Sequence, residues 1–231
     1  MSMDITIMDN GGLYRLMAWL SPSYPVGAFA YSHGIEWAVE EARVKDEATL
    51  LGWIESIVAV GAGWSDAVLF AHAYDAAGNT GALIEINDLA TALAPSKERH
   101  LETTAQGAAF VKATTDAWPW PDCRELYAAL GTEIAYPVAV AAAARGHDIN
   151  REQALHAYLH GFAANLVSAG VRLIPLGQSA GQRILAKLES VIDATASSAT
   201  TAEIDDAGSI AILSEIAAMR HETQYTRLFR S

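Results

Sequence analysis

The chain has 231 residues, is 52% hydrophobic and carries a formal net charge of −12. That length is enough to bury a large apolar core in one domain or in two closely merged ones. The acidic balance excludes nucleic acid as a partner, because binding to a phosphate backbone depends on Lys and Arg side chains that release counterions.

The first half of the chain has apolar residues at helical spacing throughout. Asp46 is predicted as the N-cap of a helix that Gly61 and Gly63 end. The rigid connector 118–121, with the sequence Trp-Pro-Trp-Pro, ends the last helix of this half. In chain order we predict helices over residues 13–20, 28–42, 46–58, 65–77, 83–93 and 96–118.

The second half continues the pattern, and capping residues mark two of its helix starts. Asp122 with Glu125, and Asn150 with Gln153, have the spacing of capping boxes. In chain order we predict helices over residues 122–130, 136–145, 150–174, 178–194 and 209–219.

The predicted fold class is all-α, because no alternating run of Val, Ile or Thr between turns supports a strand. We expect a compact single-domain helical bundle of roughly nine to eleven helices, with the apolar segment 155–174 as its central helix. Residues 1–194 would form the helical core domain. The low-complexity stretch 195–207 is interpreted as a linker, and 208–231 as a C-terminal helix with a partner-docking tail.

The sequence predicts a cytoplasmic protein that does not span a membrane. Residues 1–12 carry acids where a secretory signal needs a basic region. The apolar run 50–63 contains Glu55, and the run 135–144 is too short to cross a bilayer. The single Cys123 excludes an internal disulfide and is interpreted as a packing residue at a helix start.

Signatures of enzymes are missing from the sequence. It contains no Gly-x-x-x-x-Gly-Lys-Ser/Thr phosphate loop, no G-x-G-x-x-G after a strand and no G-x-S-x-G elbow. His156 and His160 could share a helix face as metal ligands, but Ala157 stands where a zinc peptidase helix has its general base. We favour packing for these two histidines. A small helical metal-binding protein or metalloenzyme that uses them is the alternative.

Two loops with Pro and Gly, residues 21–31 and 173–183, could present side chains to another protein. The first would project aromatic rings from a rigid backbone, and the second would offer hydrogen-bonding groups beside glycines. The alternative is that both are ordinary connections between helices. The possible interface residues are Tyr24, Pro25, Phe29, Tyr31, Gln178, Gln182 and Arg183.

The last thirteen residues, Met219–Ser231, differ in charge from the rest of the chain, and we call them the tail. Three arginines against one glutamate give the tail a charge of +2 on a chain of net charge −12. It is predicted to be mobile or loosely docked until a partner covers it. The alternative is that its arginines pair with the protein's own acids. The predicted partner-binding residues are Arg220, His221, Glu222, Gln224, Tyr225, Arg227, Leu228 and Phe229.

Together these segments resemble the urease accessory protein UreF family. The matching motifs follow the family's order over nearly the whole chain. They are Leu-Ser-Pro at 20–22, Pro-Val-Gly-Ala-Phe at 25–29, Tyr-Ser-His-Gly-Ile-Glu at 31–36, Glu-Thr-Thr-Ala-Gln-Gly at 102–107, Tyr-Pro-Val at 136–138, Val-Arg-Leu-Ile-Pro-Leu-Gly-Gln at 171–178 with Gly-Gln at 181–182, and His-Glu-Thr-Gln-Tyr-Thr-Arg-Leu-Phe at 221–229.

The resemblance implies an all-helical, non-enzymatic maturation factor of the cytoplasm. Such a protein would form a homodimer, bind the accessory protein UreD (UreH in some species), recruit the GTPase UreG and act on apo-urease. No cofactor would be bound stably: the partner would bind GTP, and the assembled complex would handle the nickel. The rigid loop and the apolar excess, with mean hydropathy +0.16, also favour self-association.

Overall fold

The structure, a computed structural model, describes residues 10–231. In that range the chain forms eleven α-helices, two 3₁₀ turns and no strand, so the prediction of an all-α domain is confirmed. The helices are α1 (Asn10–Trp19), α2 (Ile35–Glu40), α3 (Glu47–Val60), α4 (Ala62–Ala76), α5 (Thr80–Ala92), α6 (Lys97–Ala117), α7 (Cys123–Ala129), α8 (Tyr136–Gly146), α9 (Arg151–Leu173), α10 (Gln178–Ala199) and α11 (Ile212–His221).

Helix α8 lies at the centre of the core. The sequence predicted this position for the apolar segment 155–174, which belongs to α9 in the structure. Every residue from Pro137 to Ala144 is buried, because this stretch is apolar on all sides and its small side chains let α4, α6 and α9 approach. Helix α9 keeps exposed polar residues such as Glu152 and His160 along one side. It therefore has one side buried in the core and the other exposed to solvent.

A close contact between α6 and the start of α8 fixes the position of α6. At Gly107 a Cβ atom would lie 1.8 Å from the carbonyl oxygen of Ile134. No side chain larger than hydrogen fits there, so the backbone of α6 passes directly against the segment that leads into α8. This contact positions the polar residues at the N-terminal end of α6, which form the site described below.

The prediction of a continuous helix over residues 28–42 is wrong for the first half of that range. The structure has a 3₁₀ turn at Ala28–Ala30 and begins α2 only at Ile35. His33 and Gly34 both adopt positive φ angles, of 52° and 73°, which a continuous α-helix does not allow. The capping box at Asp122 is also absent, because that residue has φ 60° and accepts no capping hydrogen bond.

The linker predicted over residues 195–207 is wrong, since α10 continues to Ala199 and buries Thr195, Ala196 and Ala199. The rest of the stretch includes a 3₁₀ turn at Ile204–Asp206 that packs against α4. Composition misled the prediction, because small Ser, Thr and Ala side chains suit a close helix contact as well as a flexible linker.

One stretch among the described residues, Glu47–Ala76, is long and apolar enough to cross a membrane by length and composition alone. It is two helices in the fold, because the chain turns at Gly61 between α3 and α4. More than half of its most apolar window is buried inside the domain. The stretch therefore packs as part of the protein core.

Candidate functional site

The tail folds back onto the protein and is held by buried carboxylates. The Glu36 side chain, on α2, accepts hydrogen bonds from the backbone amides of Leu228 (2.7 Å) and Phe229 (2.9 Å). The carbonyl of Ser231 accepts from the amide (2.7 Å) and hydroxyl (2.5 Å) of Ser32. The end of the chain is thus bonded to residues that immediately precede and begin α2.

The side chain of His221 is fully buried between two carboxylates, those of Glu98 on α6 and Glu36 on α2. Its Nδ1 is 2.7 Å from a carboxylate oxygen of Glu98, and its Nε2 is 3.1 Å from one of Glu36. Both ring nitrogens are thus within hydrogen-bond distance of a carboxylate oxygen. The guanidinium of Arg227 adds a cation, with Nη1 2.7 Å from Glu98. Glu36 and Glu98 are therefore both bonded to side chains of the tail.

A second buried cluster centres on Glu102 of α6. Its carboxylate accepts hydrogen bonds from Arg99 (2.5 Å), Gln106 (3.1 Å) and the hydroxyl of Ser231 (2.9 Å), and it lies 2.7 Å from Nε2 of His33. Burial alone would raise its pKa, but the Arg99 guanidinium and the His33 ring lower the pKa of Glu102 to about 2. The carboxylate therefore stays ionised and binds the last residue of the tail.

Asp66 of α4 is partly buried and lines a cavity together with Arg99 and Glu102. The Tyr158 hydroxyl donates to its carboxylate at 2.7 Å. Burial raises the pKa of Asp66 to about 6, although the nearby Arg99 opposes the change. Burial and Arg99 also lower the pKa of His33, which lines the same cavity. This interior is polar and holds a carboxyl group that titrates near pH 6.

The expectation of a loosely docked tail is wrong for five of its eight predicted partner-binding residues. His221 and Phe229 are buried, Glu222 accepts from the Lys97 amide, Gln224 donates to Glu40, and Arg227 pairs with Glu98. The alternative, in which the tail pairs with the protein's own acids, describes these contacts. By contrast Tyr225 is fully exposed, Leu228 is 77% exposed and Arg220 is exposed. These three remain available to another protein.

The aromatic loop at residues 21–31 also has some predicted interface residues buried and others exposed. Tyr24 and Tyr31 are buried, and the Tyr24 hydroxyl lies 2.8 Å from that of Thr114, so the expectation that these rings project outward is wrong. Phe29 and Pro25 are exposed. The guanidinium of Arg172 stacks on Phe29 at 3.5 Å and lies 4.4 Å from the ring of Phe229. The outer end of the loop therefore adjoins the tail.

The second loop lies apart from the tail contacts. Gln178 and Gln182 are exposed at the start of α10, and the guanidinium of Arg183 pairs with Glu47. The side chains of this loop thus face solvent at the outer surface of α10. Their role as interface residues stays a prediction.

His156 and His160 share the outer face of α9 beside α1, as their spacing predicted. His156 lies 3.3 Å from Asp193, and His160 is exposed. Among the residues that the structure describes, no group of three His, Cys, Asp or Glu side chains could hold a metal ion. The arrangement gives the metal-binding alternative no support.

Sequence reasoning from spacing missed the acids that hold the tail. A signal was present, because Glu98, Glu102 and Gln106 recur every fourth residue and so share one face of α6. Charged residues at that spacing normally mark a solvated face. Only the fold shows that this face is covered by the loop around His33 and by the tail.

Comparisons with known proteins agree with the motifs. The family model for UreF matches residues 44–189. The urease accessory protein UreF of Rhodopseudomonas palustris strain BisA53 is 51% identical over 221 residues, which covers 95% of this chain and 93% of that protein. The protein of the same name from Bradyrhizobium sp. strain BTAi1 is 50% identical over 229 residues, covering 98% of this chain and 95% of that protein.

The raised pKa of Asp66 predicts a pH-dependent effect of Asp66→Asn. In the unfolded chain this carboxyl ionises near pH 4, whereas the folded chain holds the proton to about pH 6. The group therefore lowers the free energy of unfolding as pH rises through that window. We expect Asp66→Asn to be more stable than the parent by about 1–3 kcal/mol at pH 7 to 8, with the difference vanishing towards pH 4.

Urea denaturation at several pH values measures this difference. The exposed Asp88→Asn change is the matched control and should show no such pH dependence. A stability gain for Asp66→Asn that is equal at pH 4 and pH 8, or a loss at pH 8, would contradict the assignment.

Proposed function

Because the chain belongs to the UreF family of urease accessory proteins, we propose that it acts as a dimeric adaptor in the assembly of the urease nickel centre. Its role in maturation is non-catalytic. In the proposal the protein binds a UreD/UreH-type accessory protein, recruits a UreG-type GTPase in the cytoplasm and modulates that GTPase on apo-urease. GTP belongs to the partner, because this sequence has no phosphate loop. The assembled complex handles the nickel.

The single observation that supports this proposal best is the arrangement of the tail. Buried residues such as Phe229 and His221 fix its backbone, while the ring of Tyr225 and the side chain of Leu228 remain fully or largely exposed. A tail held in this way presents aromatic and apolar anchors without the entropic cost of ordering a flexible segment on binding. Aromatic and Arg side chains dominate binding energy at protein interfaces. The exposed side of the tail therefore suits capture of the accessory partner.

For the homodimer we propose the apolar groove between α1 and α9. Leu13 and Met17 of α1 are 42% and 67% exposed and line this groove with His156 and His160. The same face carries the carboxylate of Glu152 beside the imidazoles of His156 and His160, so in a two-fold contact an acceptor on one copy can meet a donor on the other. A two-fold contact needs this self-complementarity, which makes a second copy the occupant.

We expect Met17→Asp to produce a monomer, because it would bury an unpaired charge at the centre of that contact. Sedimentation velocity at micromolar concentration measures the change. The matched control is Leu93→Asp, which adds the same charge at an exposed apolar position on the loop after α5. A parent protein that is already monomeric, or a Met17→Asp variant that stays dimeric, would contradict the proposed dimer face.

The partner-capture proposal is tested by the double variant Tyr225→Ala, Leu228→Ala. Both side chains are exposed, so we expect its melting temperature to match the parent. Co-purification with the UreD/UreH-type protein should fall at least tenfold, with a loss of urease activation in cells. Pro25→Ala, also at an exposed position of the chain, serves as the control. Undiminished capture by the double variant would show that the tail is not the docking element.

A further inference from the structure

We infer that the side chain of His33 binds one buried water molecule, which bridges it to the carboxylate of Glu215 on α11. The water occupies a small cavity between α11 and the buried cluster around Glu102. We call it the α11 cavity, and its polar lining residues are His33, Arg99, Ser214 and Glu215. This water site lies outside the proposed function and does not depend on it.

A buried ring nitrogen of His33 lacks a protein partner. Its Nδ1 forms no hydrogen bond within residues 10–231, although the residue is only 6% exposed. A buried polar atom that loses water without gaining a partner pays its full desolvation energy. Native proteins therefore pair nearly all such atoms, with protein groups or with ordered water.

The other ring nitrogen shows which way Nδ1 points. Nε2 of His33 lies 2.7 Å from Glu102 and 2.6 Å from Nη1 of Arg99, both on α6. Glu102 lines the larger cavity described above but not the α11 cavity. The two nitrogens leave an imidazole ring in different directions, so Nδ1 points away from Glu102 and towards α11.

The α11 cavity has room for one water molecule. About 10 Å³ of its space is open to the centre of a water molecule. A buried water needs roughly 10–15 Å³ of space and two to four polar partners. The packing of α11 explains this size, because a Cβ atom at Gly34 would lie 2.5 Å from the amide nitrogen of Ala218. That contact sets the distance between α11 and the loop that carries His33, and one turn earlier, at Ser214, the remaining space is too small for a side chain.

Water suits every polar group that lines the α11 cavity. Burial and Arg99 lower the pKa of His33, and the carboxylates of Glu102 and Glu215 oppose this only in part, so the ring is neutral at pH 7. A neutral imidazole carries its proton on either nitrogen, and water can accept from Nδ1 or donate to it. The Glu215 carboxylate accepts from the hydroxyl of Ser209 at 2.6 Å and has further lone pairs for the water. A cation is a poorer occupant, because it would face the guanidinium of Arg99.

The bridge positions the helix that leads into the tail. Helix α11 packs against α2 through the buried Ala217 and Ala218, which form no side-chain hydrogen bonds. The water adds a polar contact on the same face, between Glu215 and the loop before α2. Because the tail continues directly from α11, this contact also helps to fix where the tail starts.

A high-resolution crystal structure of the full-length chain tests this assignment directly. We expect one water within about 2.7–3.2 Å of both Nδ1 of His33 and a carboxylate oxygen of Glu215. A structure with no water at Nδ1 overturns the inference. So does a water at Nδ1 that lies in the larger cavity and does not contact Glu215.

Three variants separate the water from the direct hydrogen bond of Glu215. Glu215→Gln keeps an acceptor of the same size, so the water and the melting temperature should match the parent. Glu215→Leu removes the acceptor, so the water should be lost and the melting temperature should fall by at least about 2 °C. Ser209→Ala is the matched control, because it removes the direct hydrogen bond to Glu215 and leaves the cavity lining unchanged.

A water that persists in Glu215→Leu, or that is lost from Ser209→Ala, overturns the bridge to Glu215. The parent crystal structure decides the inference even if Glu215→Leu fails to fold.

Discussion

The carboxylate of Glu36 is the interaction on which the rest of the site depends. It accepts the amides of Leu228 and Phe229 and lies against the ring of His221, so one side chain bonds three points of the tail. A buried carboxylate is stable only when its oxygens are fully bonded. Here the bonds come from a segment more than 180 residues away in the chain. The acid and the tail therefore require each other: neither is satisfied in its buried position alone.

This mutual requirement changes how the tail would act in binding. A mobile tail would lose conformational entropy each time it met a partner, whereas a tail already bonded to α2 and α6 loses little. The contacts also separate the tail residues that stabilise the fold from those that are free to contact another protein. Phe229 and His221 stabilise the fold, and Tyr225 and Leu228 remain exposed for another protein. Removing Arg220 to Ser231 would therefore unpair Glu36 and destabilise the protein, contrary to what a loosely docked tail implies.

The polar interior follows from the same arrangement. Glu102 stays ionised because Arg99 and His33 surround it, and it binds the hydroxyl of the last residue, Ser231. Breaking a buried pair of this kind by removing one partner typically costs about 3–5 kcal/mol. Two such clusters, joined by the tail, make the C-terminal end of the chain part of the fold's stability. The exposed surface of the tail thus rests on a rigid support.

The sequence predicted the helices well and the site only in part. Apolar periodicity and caps such as Asp46 located most helices, because both signals are local. The prediction of a linker at 195–207 failed, since composition cannot distinguish a flexible segment from small residues in a tight helix contact. Spacing could not reveal that Glu36 and Glu98 face the tail, because these contacts join distant parts of the chain. The family motifs contained Glu36 without indicating what it binds.

Hydrogen exchange of the backbone amides of Leu228 and Phe229 in the isolated protein tests this account most directly. Both amides donate to Glu36, so exchange requires the tail to leave its site. We expect protection of at least about 100-fold relative to an unstructured peptide, and loss of that protection in Glu36→Gln. The exposed residue Tyr225 provides an internal comparison with weaker protection. Exchange of the Leu228 and Phe229 amides at the rate of a free peptide would contradict the claim that buried carboxylates hold the tail.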